Sequence, residues 1–523
     1  MKRSALATTM LCCLVSLTSI SVSAARQGQH PAGCAENLTT AARQLMLKPV
    51  ALTPASGKLH QEVSTKSAEA QAFYDQGFAW LASYTWIEAA RSFEAAIRLD
   101  PELAMAHMGL AKAYTGADLK AEAASHRKRA EELAAVKGKV TDKEAQWIAL
   151  ASLQAEAVAA PEKERSKKHE AYKKKIDDLI KSDPDDTNAW ILRGNAEETG
   201  AWGRGQGGRV GSIAYYEAAL TRDPDNLAAH HFLVHSYENI GRYEEAAEHA
   251  KVYVAQCPLV PHAHHMHGHV LPRLGKWEDA RAEFTEADRL ERLYYTAERI
   301  AADQDWHHGH NLHLLGTVER RMGRDKEAEL LYKEAFDLKE REPLGAGWYA
   351  TPYVEYLLGK GRFEEALTAA RVLQSRQFGM QHYAGEALAC QALLGLGRLD
   401  DAKKSASKAA ALYRIARRET SETPSTRPSP REHPYKETLA GLFELHGRHP
   451  EKGEKRLIKM ADELAASTRF DAWGAGLFNL DRIAAEASRA GRPKLVADLA
   501  ERMKKIDPDF KSEAATQKVA SGN

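Results

Sequence analysis

The feature that most constrains this 523-residue chain is a repeat. Residues 70–103 carry Gly77, Ala89, Phe93, Ala96 and Pro101, which fall at positions 8, 20, 24, 27 and 32 of a 34-residue unit. Small residues at 8, 20 and 27 let paired helices approach closely. An aromatic at 24 fills the gap between them, and proline at 32 ends the second helix. GRYEEA begins at Gly241 and GKWEDA at Gly275, 34 residues apart; GRDKEA, GRFEEA and GRLDDA follow from Gly323, Gly361 and Gly397. Each copy supplies a turn glycine and the alanine of position 20. No stretch alternates with period two for long enough to form a sheet. Units of this kind bury their apolar faces only by stacking on their neighbours.

The pattern is similar to the tetratricopeptide repeat, a helix–turn–helix unit. The expected fold class is all-α, a tetratricopeptide-repeat superhelix or α-solenoid. Repeats are expected at about 70–103, 227–260, 261–294, 309–342, 347–380 and 383–416, with degenerate helix pairs between and after them. The superhelix would span 67–415, centred on 227–342. Residues 25–66 read as a polar lead-in and 200–210, GAWGRGQGGRV, as a glycine-rich insertion. Residues 416–435, rich in proline, serine and threonine, read as a flexible linker before a last helical, tetratricopeptide-like segment at 436–523.

The N-terminus reads as a cleavable signal peptide over 1–24. Lys2 and Arg3 precede an apolar run from Ala5 to Val22, and Val22-Ser23-Ala24 supplies the small residues of a cleavage site. A periplasmic or secreted protein is therefore expected, with no integral membrane segment after cleavage. Lysine plus arginine total 73 against 72 aspartate plus glutamate, so there is no electrostatic footprint for nucleic acid. Beyond the signal, Cys34, Cys257 and Cys390 are odd in number and far apart; they are not a disulfide framework and read as small apolar residues.

Histidine is the outlier in this chain. Of 22 histidines, 13 lie between residues 230 and 313, and PHAHHMHGH runs from Pro261 to His269. Likeness to the tetratricopeptide unit implies that positions 2, 5, 9 and 12 of each first helix face the concave groove, on one helical stripe. Counting from Leu227, His231, His235 and Glu238 take positions 5, 9 and 12; counting from Pro261, His262, His265 and His269 take 2, 5 and 9. Counting from Gly309, His310 and His313 take 2 and 5. Seven histidines thus share one expected face, whereas His230, His264 and His267 fall on packing positions. Two of the groove pairs, His231/His235 and His265/His269, are i, i+4 and can grip one ion. The ion would be one that takes neutral nitrogen: copper, zinc or iron. Glu238 would add a carboxylate ligand or orient an imidazole. The third repeat starts 48 residues after Pro261 instead of 34. That insertion would lengthen the preceding helix and either keep His310 and His313 in the cluster or tilt them away. Met105 and Met108, at positions 2 and 5 of an earlier repeat, read as core or groove filling.

Four ordered motifs make residues 68–342 similar to a bacterial family of exported tetratricopeptide proteins with fixed histidine motifs. Those motifs run roughly AMAYWGLA, HPGANHxYIHAxE, GHxxHMPxHIxxRxGRY and HNxHF. The counterparts here are AMAHMGLA from Ala104, HFLVHSYE from His231, HAHHMHGHVLPRLGKW from His262 and HNLHL from His310. Carried across, the family's motif histidines fall on His231, His235, His262, His265, His269, His310 and His313, and its glutamate on Glu238. The HPG start is absent, His267 replaces the proline of HMPxH, and Leu314 replaces the phenylalanine of HNxHF. The resemblance implies a shared site and no particular activity.

Three uses of such a groove stay open on the sequence. One is a metal-dependent enzyme, an oxidase, oxygenase or hydrolase, with a coordination position open to a small-molecule substrate. A second is periplasmic metal handling or delivery from a rim-exposed site. The third is a metal-free scaffold with a peptide or protein partner in the groove. No P-loop, GxGxxG or GxSxG motif occurs, and HEAYK at His169 is not HExxH. No residue is assigned a catalytic role.

Overall fold

The computed structural model describes residues 44–512 and 514, apart from 118, 199, 201–202, 305, 339–347, 377–378, 423–434 and 468–471. The expected signal peptide, the start of the lead-in and most of the expected linker lie outside the described residues. Everything described is helix or loop, with no strand. The helices are α1 (Ala68–Ala82), α2 (Trp86–Leu99), α3 (Ala104–Gly116), α4 (Lys120–Ala134), α5 (Asp142–Ala159), α6 (Glu162–Ser182), α7 (Thr187–Ala196) and α8 (Val210–Arg222). They continue as α9 (Leu227–Asn239), α10 (Tyr243–Gln256), α11 (Pro261–Val270), α12 (Trp277–Glu298), α13 (Trp306–Arg321), α14 (Asp325–Asp337), α15 (Thr351–Gly359) and α16 (Phe363–Ser375). The last are α17 (Gly379–Gly395), α18 (Leu399–Glu422), α19 (Lys436–Leu445), α20 (Pro450–Ala465), α21 (Ala472–Arg489) and α22 (Pro493–Ile506). Consecutive helices pack as antiparallel hairpins, and each hairpin packs on the next. This is the tetratricopeptide α-solenoid.

The repeat residues do in space what their positions require. Ala89, Ala246, Ala280, Ala328, Ala366 and Ala402 are fully buried, as are Phe93 and Phe284. A methyl group on Gly77 would meet the Phe93 ring at 2.9 Å, and one on Gly109 would collide with the same ring. The small residue is therefore a condition of helix approach. Gly241, Gly275, Gly323, Gly361, Gly397 and Gly491 end their first helices at φ between +67° and +81°. The residue after each glycine donates its N–H to the carbonyl five positions back, as Arg242 does to Tyr237, which is the Schellman closure.

Position 4 has its own function in three repeats. His107, His230 and His264 each bring Nε2 to a carbonyl six residues earlier, on Pro101, Pro224 and Pro258, at 3.2, 2.9 and 3.0 Å. These rings lock a helix to the loop that feeds it. The structure thus gives His230 and His264 packing roles.

Two apolar cores meet near the middle of the chain. One runs from Met46 to Val270, the other from Leu312 to Ala514, and a small third cluster joins Leu271, Phe284, Leu314 and Trp473 at the seam. Within the expected lead-in, residues 44–66 pack across the first core. Met46 is buried, Arg91 donates to the carbonyls of Lys48 and Pro49, and Cys257 lies against Ser56. At the other end α18 runs on to Glu422, well into the stretch read as a linker. Its Arg-Arg-Glu sequence favours helix.

Candidate metal centre

The histidine-bearing helices are α9, α11 and α13, the first helices of three hairpins at the seam. The insertion before the third hairpin lengthens α12 to Glu298 and lets α13 begin at Trp306. This keeps His310 with the cluster: its Nε2 lies 3.3 Å from that of His269.

The seven expected histidines form two sets and one outlier. His231, His235 and His262 bring one nitrogen each within 4.8 Å of the others, and so do His265, His269 and His310. In the first set the Nε2 of His231 lies 3.1 Å from that of His235 and 3.0 Å from that of His262. The sets adjoin, with 5.8 Å between the ring centres of His262 and His265. His313 stands outside both sets, its ring centre 5.2 Å from that of His310.

The histidines lie away from solvent. All seven rings are buried, none more than 8 % exposed. Tyr84 lies over His231, His235 and His262, with ring centres 4.7, 6.1 and 5.3 Å away. Tyr253 stacks on His231 at 4.8 Å from below. The α1–α2 turn carries Tyr84 onto these rings.

Three rings have their tautomers fixed from behind. His231 donates Nδ1–H to the carbonyl of Ala82 at 2.6 Å. His265 donates Nδ1–H to Oδ1 of Asn311 at 3.0 Å, and the Asn311 amide is itself oriented by donating to the Phe284 carbonyl at 3.0 Å. His269 turns Nδ1 to Glu238 Oε1 at 3.2 Å. Glu238 therefore sits behind a ring, where a carboxylate orients an imidazole and raises its basicity. The Nε2 atoms of His231 and His269 face other imidazole nitrogens at 3.0–3.3 Å. Burial holds His231 and His313 down at about 3 and pushes His235, His262, His265 and His310 well below the ordinary imidazole range. Near neutrality these six are neutral bases.

Two further histidines belong to the site and were missed in the sequence. His307 lies between the sets, its ring centre 4.3 Å from His265 and 5.1 Å from His262. Its Nδ1 contacts a carboxylate oxygen of Glu291, whose other oxygen is 2.8 Å from Nδ1 of His308. The signal was available, since 307, 310 and 313 form an i, i+3 stripe once the helix starts early enough. Asp288, Glu291 and His308 also have ligand-like spacing, but their charge state differs. Burial would lift the Glu291 carboxyl, yet His307 and His308 hold it at about 2. Burial works against a charged His308, yet Glu291 and Glu334 hold it up at about 10. That group is an ion-paired brace, with its imidazole protonated.

The tetratricopeptide repeat family model matches residues 204–261, which cover the glycine-rich loop, α8, α9 and α10. That match marks tetratricopeptide repeat sequence within this part of the chain. No curated protein matches it. Among solved structures it is similar to yeast Tom70 at 11 % identity, covering 85 % of this chain and 92 % of that one, with a TM-score of 0.38. It is also similar to the APC/C hetero-tetramer Cut9-Hcn1 at 12 % identity, covering 90 % and 80 %, TM-score 0.36. A third likeness is to MamA at 13 % identity, covering 36 % and 91 %, TM-score 0.27. Likenesses this weak carry no argument; the repeats themselves and the family match carry the fold.

Proposed function

We propose that this chain is a metalloprotein whose two buried histidine sets each hold a transition-metal ion as a resident centre. The observation that carries the reading is the convergence of His231, His235 and His262. With Nδ1–H of His231 committed to Ala82, its Nε2 is a lone pair, and it faces two other imidazole nitrogens at 3.0 and 3.1 Å. One such contact can be a hydrogen bond, but one lone pair facing two rings this closely favours a cation between them. Tetrahedral coordination at 2.0–2.1 Å per bond would put ligand nitrogens about 3.3 Å apart. The second set repeats the arrangement, with His269 and His310 at 3.3 Å.

The donors suit copper, zinc or iron, because every ligand is a neutral imidazole and neither set contains a thiolate. Such an ion would supply Lewis acidity or, for copper and iron, redox chemistry. The chain's own residues aim the rings: Ala82, Asn311 and Glu238 fix three of them. Burial excludes bulk water, and three-nitrogen sets leave a fourth position for water or substrate, as catalytic sites do. This favours a metal-dependent enzyme of the oxidase, oxygenase or hydrolase type over metal delivery, which calls for an exposed and exchangeable site. Partner binding, the general use of this fold, fits the rest of the superhelix; no described helix is long and apolar enough to cross a membrane. The basic-apolar start of the chain supports export to the periplasm or beyond. A reporter fused to residues 1–30 should be translocated, and retention inside the cell would remove that part.

The test is elemental analysis of untagged protein, as purified and after refeeding with Zn2+, Cu2+ or Fe2+. About two equivalents are expected in the wild type, and about one in each of His231→Ala and His265→Ala. Negligible uptake by the wild type would end the metal reading.

A further inference from the structure

The turn between α1 and α2 breaks a rule that six other turns obey. Tyr84 donates its N–H to Leu81 and Thr85 donates to Trp80, at 3.2 and 3.0 Å. This is the same Schellman closure that Gly241, Gly275, Gly323, Gly361, Gly397 and Gly491 make. Here the left-handed position is held by a tyrosine at φ +56°. That conformation brings Cβ close to the backbone carbonyl and is rare for any residue but glycine or asparagine. Among the described residues the only other non-glycine with positive φ is Arg299, exposed at the end of α12. Tyr84 is 5 % exposed.

The strained backbone points the ring at the first histidine set. The phenol stacks on His235, meets His231 edge-on and lies against His262. Its hydroxyl donates to the carbonyl of Arg204 at 2.9 Å, tying in the glycine-rich loop. Two residues earlier in the same turn, the Ala82 carbonyl fixes the His231 tautomer. A glycine at 84 would make the turn without strain but would leave an opening above three imidazoles. Strain kept where a relaxed residue would serve the fold marks a functional position.

We propose that Tyr84 is a positioning residue of the His231/His235/His262 site: its ring walls the site off from solvent and holds the three imidazoles in their converging orientation. The role rests on the metal reading for what is enclosed, but the wall itself can be measured without metal. The asymmetry this creates is specific. The first site is enclosed by Tyr84 and Tyr253, whereas the second adjoins additional donors in His307 and His313. Opening the Tyr84 wall should therefore speed exchange at the first set and not at the second.

The test uses the full chain in wild-type, Tyr84→Phe, Tyr84→Gly and Tyr84→Asn forms; asparagine tolerates the left-handed turn and guards against a folding defect in the glycine variant. In the metal-free proteins, carbethoxylation of His231, His235 and His262 by diethyl pyrocarbonate is followed by mass spectrometry. The three rings should be slow to react in wild type and Tyr84→Phe, and several-fold faster in the other two, with the exposed His449 as an unchanged reference. Proteins loaded with Co2+ are then challenged with chelator. Tyr84→Gly and Tyr84→Asn should lose the first-set ion, identified by its absence from His231→Ala, about tenfold faster than wild type, with altered d–d bands, while Tyr84→Phe stays within about twofold. Wild-type modification rates and wild-type release in both Tyr84→Gly and Tyr84→Asn would overturn the proposal. So would a Tyr84→Phe variant as open as the glycine one, since the ring would then not be the wall. If wild type takes up no Co2+, the metal reading falls, and the modification arm alone decides whether Tyr84 covers the imidazoles.

Discussion

His231, His265 and His269 each commit Nδ1 to an oxygen, and that asymmetry decides what single substitutions should do. Asn311→Ala leaves His265 in place but removes the group that fixes its tautomer, so metal affinity should fall by about 10- to 100-fold with the fold intact. Isothermal titration with Zn2+ checks this; unchanged affinity would mean that the amide does not aim the ring. Glu291→Gln should behave differently. It leaves the protonated, fully buried His308 with less compensation, at a cost of about 3–5 kcal/mol to stability, read in urea denaturation. Acid should also unfold the metal-free protein early. The imidazole pKa of His231 and His313 is depressed to about 3 in the folded state from about 6.5 in the unfolded chain. Their contribution to stability is therefore fully present above the unfolded value and is lost as pH falls towards the folded one. The unfolding free energy from urea titration should drop between pH 7.5 and 5, by on the order of 1–2 kcal/mol for each such ring. The i, i+4 pairs were legible in the sequence because helical spacing alone sets them. Glu291 was not, because its partners lie across a helix pair in α13.

The hairpin is the element that this chain repeats, and its small residues matter for different reasons in different copies. A methyl on Gly109 collides with Phe93, and one on Gly268 meets Phe284 at 2.9 Å. Both alanine variants should cost about 1–3 kcal/mol in stability through overpacking. Only Gly268→Ala should also weaken metal binding. Phe284 packs against His265, with ring centres 5.5 Å apart, and its carbonyl holds Asn311. Parallel melting curves and metal titrations separate the two effects; equal metal affinity in both variants would contradict the coupling. Hairpin order and turn glycines were readable because each is a local requirement of backbone and packing. The start of α13 was misread because the repeat was counted from Gly309, although Asp303 and Asp305 offer N-cap residues just before Trp306; His307 and His308 were left out for that reason. The packing of Tyr84 over the first set also escaped the sequence, since a tyrosine at a glycine turn reads as an ordinary apolar residue until its φ is known.

Across the whole molecule, the two histidine sets occupy different mechanical positions. The first lies on α9 and α11, within the N-terminal core. The second takes His265 and His269 from α11 and His310 from α13, so it bridges the seam to the C-terminal core. An ion in the second set would act as a staple between the halves. Metal in hundredfold excess over its dissociation constant should stabilise the chain by about 2.7 kcal/mol per site. His310→Ala should abolish the bridging share and let calorimetry resolve two transitions in place of one. The stacking of the cores was implied by the repeat, but the packing of residues 44–66 across the first core was not, because it depends on contacts as distant in sequence as Ser56 with Cys257. The measurement that bears most directly on the centre is X-ray absorption at the edge of whichever metal copurifies with untagged protein. The account predicts a first shell of nitrogen at about 2.0–2.1 Å if the metal is zinc, with outer-shell scattering from several imidazoles. A spectrum of oxygen ligands alone, without imidazole scattering, would contradict it.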